Sequence, residues 1–196
     1  MILWHKNFHI DESVIENMSD WLKHTKSTYV PKVKHYTSYN LASTMRPEYP
    51  MRDFYAKIAE ECMRDLTLFE RSRYTQSFWM QLYEPGSNGH PCHDHFSGEE
   101  ICSWVHFLKP VKKAFHFLVD GKKVYPEQQN AGDLIVFPSR WALHQVDIND
   151  TFDDRVVIAG NILWDTLNTV KEGKVTKQTK CFSVSDTLCL WESKYV

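Results

Sequence analysis

Three histidines crowd into residues 90–95 of this chain: His90, His93 and His95. In an extended segment, side chains at i and i+2 point to one side and the residue between them points to the other. His93 and His95 can therefore grip one ion, while Asp94 faces away. Neutral imidazoles that leave coordination positions open suit iron, copper, zinc or nickel. A third ligand must come from elsewhere in the chain. His144 is the candidate, because it follows the run Gly132-Asp133-Leu134-Ile135-Val136-Phe137-Pro138 and a turn, and opens the next strand. Arg155 comes next, preceded by Asp153-Asp154 and opening the apolar run Val156-Val157-Ile158-Ala159. His5, His9, His24, His35, His106 and His116 have no partner spacing and read as structural or surface residues, and His90 reads as part of the loop.

These residues need elements to hold them. From Ser13 onward, Val14, Ile15, Met18, Trp21 and Leu22 fall at helical spacing, and Ser13-x-x-Glu16 has the form of a capping box. Between residues 52 and 69, Phe54, Tyr55, Ile58, Ala59, Cys62, Met63 and Leu66 repeat the helical period. The period then changes. Short runs rich in aromatic and β-branched residues predict strands over 77–83, 101–108, 114–119, 123–125, 134–137, 145–148 and 155–163. Asp120-Gly121 is a hairpin signal, and Ala131-Gly132-Asp133 supplies another turn. Seven strands behind two helices predict a mainly β fold, a sandwich or barrel with helices on one face. The polar, Lys- and Tyr-rich stretch 25–50 reads as a loop over the site. The tail 174–196 alternates enough for one or two more strands, and Leu188-Cys189-Leu190-Trp191 is apolar enough to pack against the domain or a second subunit.

Composition narrows the class. The 196 residues form one domain-sized chain with no linker or repeat. They divide into a helical support region (1–75), a β core (76–165) and a C-terminal tail (166–196). Lys plus Arg number 23 against 25 Asp plus Glu, and without a basic stripe no nucleic-acid partner is expected. The apolar run 156–164 is about half the length a membrane helix needs. The first residues lack a signal-peptide pattern, and five cysteines without a Cys-x-x-Cys pair fit a reducing, cytoplasmic setting.

Taken in order, Tyr83-x-Pro85-Gly86, His93-x-His95, Gly132-Asp133-Leu134-x-x-Phe137-Pro138, His144 and Arg155 resemble the Fe(II)/2-oxoglutarate-dependent oxygenases, in particular their prolyl-hydroxylase-like branch. The resemblance runs from about residue 76 to residue 164. It implies a double-stranded β-helix, a cupin-like jelly-roll barrel whose mouth holds one iron. It places His93 and His144 as metal ligands, and Arg155 as the partner of the distal carboxylate of 2-oxoglutarate. Tyr83 and Ser103 fall beside the cosubstrate, with Ser103, Val105 and Phe107 facing the interior. The family pairs two histidines with one carboxylate at His-x-Asp/Glu. Here the second position is His95, and Asp94 reaches the metal only if a bulge turns it inward.

The implied cofactors are Fe(II), 2-oxoglutarate and O₂. The implied reaction is decarboxylation of the keto acid to succinate and CO₂, coupled to hydroxylation of a C–H bond in a peptide, protein or small molecule. Two other readings share the motifs: a three-His cupin-type dioxygenase that needs no keto acid, in which Arg155 would lack an anion, and a jelly-roll module for structure or interaction.

Overall fold

A computed structural model describes residues 1–66, 74–95, 100–164 and 189–191. The chain runs β1 (Trp4–Asn7), α1 (Glu12–His24), β2 (Tyr29–Val30), β3 (His35–Thr37), α2 (Arg52–Asp65), β4 (Tyr74–Tyr83), β5 (His90–His93), β6 (Glu100–Lys109), β7 (Phe115–Val119), β8 (Lys122–Val124), β9 (Asp133–Pro138), β10 (His144–Val146), β11 (Arg155–Trp164) and β12 (Cys189–Trp191). All pairings are antiparallel. The larger sheet is ordered β1-β9-β6-β11-β4-β3-β2, with β12 also on β4; the smaller is β5-β10-β7-β8.

Period-two alternation sorts the larger sheet's side chains into two cores. Cys102, Trp104 and Leu108 of β6, with Phe78, Met80, Leu82 and Ile158, pack against the helices. The helices meet them with Ile15, Met18 and Leu22 from α1 and Tyr55, Ile58, Ala59, Cys62 and Met63 from α2. On the opposite face Val105, Phe107, Ile135, Phe137 and Val157 meet Phe115 and Phe117 of the smaller sheet. Val105, Phe107, Phe115, Phe137 and Val157 of this second set also line the cavity that holds the residues singled out in the sequence. Close packing is tight at Gly160, where a Cβ would stand 2.5 Å from the Trp104 ring.

The turn expected at Asp120-Gly121 joins β7 to β8, with φ of 49° and 72° as a type I′ turn requires. Other details differ from the sequence reading. Asp11, not Ser13, caps α1: its Oδ1 accepts from the Ser13 backbone N–H at 2.9 Å, so Ser13 lies within the first turn. The second helix stops at Asp65, short of the predicted residue 69. β1, β2 and β3 have no sequence signal, being two to four residues long and partly polar. Stretch 25–50 carries β2 and β3 and is tied to β4, with Ser38 N–H donating to the Met80 carbonyl at 3.1 Å and Arg46 Nη1 to the Phe78 carbonyl at 2.7 Å. β12 is one of the tail strands; the rest of the tail lies outside the described residues. Among the described residues no helix is long and apolar enough to cross a membrane.

Candidate metal centre

His93 ends β5 and His144 opens β10, and the two are register partners. Their ring centroids are 4.2 Å apart. His95 lies just past the end of β5, where its backbone N–H donates to the Ser139 carbonyl at 3.1 Å. That bond carries the chain back across the site, so the His95 ring stands 5.4 Å from His93 and 5.2 Å from His144. One nitrogen from each of the three imidazoles lies within 4.8 Å of the others. Asp94 is outside this cluster, and Cys92 is exposed.

Two of the rings are oriented the same way. His93 Nδ1–H donates to the Pro91 carbonyl and His144 Nδ1–H to the Ala142 carbonyl, each at 2.8 Å. In this tautomer, assigned from the hydrogen bonds, both Nε2 lone pairs remain available to a metal. Burial, reinforced by the electrostatic repulsion that a second proton beside His93 would meet, holds His95 at about 4 and His144 at about 3. Both are neutral, ligand-ready imidazoles at neutral pH.

Arg155 opens β11 opposite Tyr83 of β4. It is 2% exposed. Its Nη1 donates to the Asp147 carbonyl at 3.0 Å, while Nε and Nη2 are buried and have no partner among the described residues. Burial lowers its pKa. The Tyr83 hydroxyl, its pKa raised by burial, donates to Gln81 Oε1. Ser103 Oγ donates to Asn161 Oδ1 at 2.9 Å and lies 3.0 Å from Ser139 Oγ. Tyr83, Ser103, Arg155 and the three imidazoles line one cavity between the sheets, with Trp79, Val105 and Phe107 among its apolar walls.

Sequence reasoning missed two neighbours. His90 stands on β5 and lines the same cavity, 4.7 Å from the His93 ring, rather than in a loop. His35, on β3, lies 5.0 Å from Tyr83 and 5.7 Å from His90. Burial, first among the causes, holds His90 at about 3 and His35 at about 4. Nothing in local spacing could have placed His35, because pairing with β4 across a long separation brings it there.

Solved structures share this arrangement of sheets. A Pseudomonas putida prolyl-4-hydroxylase superposes with a TM-score of 0.59 at 13% identity, over 82% of this chain and 91% of that one. A viral collagen prolyl hydroxylase from Paramecium bursaria Chlorella virus-1, solved as its 2-oxoglutarate complex, gives 0.53 at 14%, over 81% and 95%. The α-ketoglutarate-dependent carbocyclase SnoK from nogalamycin biosynthesis gives 0.56 at 13%, over 81% and 78%. No protein-family profile and no curated protein sequence matches the chain. The chain has the fold of the 2-oxoglutarate/Fe(II) oxygenases, with prolyl hydroxylases among its structural neighbours.

Proposed function

We propose that this protein is a non-haem iron oxygenase that couples oxidative decarboxylation of 2-oxoglutarate to hydroxylation of a peptide, protein or small-molecule C–H bond. The observation that carries this reading is the open edge of Arg155. Nε–H and Nη2–H lie on one side of the planar guanidinium and match the two oxygens of a carboxylate. A buried cation with two unpaired donors costs several kcal/mol unless an anion meets it. Arg155 itself lines the cavity that also holds three metal-ready imidazoles. A dicarboxylate with a chelating keto acid at its other end satisfies both.

In this reading residues 1–196 form one domain, and its two sheets are the halves of a double-stranded β-helix. His93, His95 and His144 hold Fe(II), and Arg155 receives the distal carboxylate. Tyr83 flanks that carboxylate, and Ser103 contributes a weaker contact from the wall. When bound, iron with 2-oxoglutarate and O₂ supplies the oxidising chemistry. The chain's own residues orient the keto acid and exclude water from it with Trp79, Val105 and Phe107. Replacing the usual carboxylate by His95 makes the site one charge more positive, which favours anionic ligands. A prolyl hydroxylase solved with a bound peptide fragment and the carbocyclase SnoK, both among the structural neighbours, support a peptide or a small molecule as substrate. Free Cys62, Cys92 and Cys102 suit a cytoplasmic setting.

The test is an anaerobic Fe(II) titration with and without 2-oxoglutarate, reading the visible charge-transfer band of a chelated keto acid. The band should appear in the wild type and be lost in Arg155→Ala at subsaturating keto acid. Iron binding without the band would instead indicate a three-His dioxygenase independent of keto acids. Absence of iron binding would leave a jelly-roll module without catalysis.

A further inference from the structure

The Asp147 carbonyl is the single protein acceptor for the Arg155 guanidinium among the described residues, and it is held from three sides. The backbone N–H of Asp147 donates to the Ala114 carbonyl at 3.0 Å. Its carboxylate accepts from Lys123 Nζ at 2.7 Å and from the Tyr125 hydroxyl at 2.6 Å, both from the β8 end of the β7–β8 hairpin. From the far side Gly89 presses on it: a Cβ at residue 89 would lie 2.6 Å from the Asp147 carbonyl oxygen and 2.1 Å from that of Val146. An isolated surface ion pair contributes little. Here, though, two side-chain donors and a backbone bond converge on one residue whose carbonyl aims a buried cation.

We propose that Asp147 is a positioning residue for the cosubstrate: tied to Lys123 and Tyr125, it sets the carbonyl that turns the open Nε/Nη2 edge of Arg155 toward the distal carboxylate. This rests on the reading that 2-oxoglutarate binds at Arg155. Removing the Asp147 carboxylate frees the carbonyl, the guanidinium loses its fixed direction, and only a keto acid with a distal carboxylate senses the change.

The experiment compares 2-oxoglutarate with 2-oxobutyrate, which has the same chelating end and no distal carboxylate, by anaerobic titration of the Fe(II) protein. In Asp147→Ala the dissociation constant for 2-oxoglutarate should rise about tenfold, with iron affinity and 2-oxobutyrate affinity unchanged. The doubly substituted Lys123→Met, Tyr125→Phe protein, altered only at exposed positions, should show the same selective loss if Asp147→Ala folds poorly. Adding Asp147→Ala to Arg155→Ala should cost nothing further. Equal loss of both keto acids, or no loss of 2-oxoglutarate in either protein, would overturn the positioning role while leaving the Arg155 site intact. A wild type that binds both keto acids equally would overturn the Arg155 reading and this inference together.

Discussion

His93 and His144 are register partners on adjacent antiparallel strands, with their rings 4.2 Å apart and each Nδ1–H bonded to the carbonyl two residues earlier. In the proposed iron site, this pair fixes the spacing and orientation of two of the three imidazoles. Replacing either by Ala should lower Fe(II) affinity by more than about 100-fold, since even the groups that merely orient a ligand are worth 10–100-fold. Asp94→Asn should leave it unchanged, because Asp94 lies outside the imidazole cluster. Anaerobic calorimetry with Fe(II) decides this, and a large loss in Asp94→Asn would move the second ligand from His95 to Asp94.

Two glycines with the same backbone handedness should respond differently to a methyl group. Gly89 and Gly121 have φ of 75° and 72°. An added Cβ meets nothing within 4 Å at Gly121 but collides with two backbone carbonyls at Gly89. Gly121→Ala should cost about 1 kcal/mol, the left-handed strain alone. Gly89→Ala should cost well above about 2 kcal/mol and weaken iron binding, since it displaces the start of β5 from β10. Urea denaturation compares them, and equal costs would reject the close approach at Gly89.

His106 lies buried between α2 and the larger sheet, its Nε2–H donating to the Phe8 carbonyl at 2.9 Å and its Nδ1 accepting from the Tyr55 hydroxyl at 3.0 Å. Burial holds it at about 4. Its unfolded pKa is about 6.5, so between pH 6.5 and 4 the unfolded chain takes up a proton that the folded one refuses. Stability is therefore full above pH 6.5 and falls with pH through that window. His106 alone should remove about 2 kcal/mol between pH 7 and pH 5. His106→Gln should be less stable at pH 7 but flatter with pH in urea midpoints. An unchanged slope would show that the folded ring takes up its proton as readily as the unfolded one.

Ser103 and Arg155 line the same cavity but differ in what they have to spare. The serine hydroxyl already serves Asn161 and Ser139, whereas two Arg155 donors have no partner among the described residues. Ser103→Ala should weaken 2-oxoglutarate by less than about tenfold and Arg155→Ala by more than about 100-fold, the difference between a neutral and a charge-assisted contact. Cosubstrate titrations of the Fe(II) protein rank them, and comparable losses would make Ser103 a primary contact.

Both helices, the main β strands and the two faces of β6 were legible in the sequence, because apolar periodicity is a local property that one buried face imposes on each element. So was the set His93, His95 and His144, whose types and parity name a chemistry without knowledge of the fold. The sequence alone did not reveal β1, β2 or β3, whose few residues form strands only because β9, β4 and, for β2, β3 offer unpaired backbone groups at their edges. Nor did it show that His35 and His90 adjoin the site, or that Asp147 holds Arg155. The placement of His35 depends on register between distant segments, and hydrogen-bonded pairing leaves no periodic trace in either partner. Whether Arg155 is a paired surface cation or a buried one with an open edge was likewise decided only when β11 was laid against β4 and the space around the guanidinium closed.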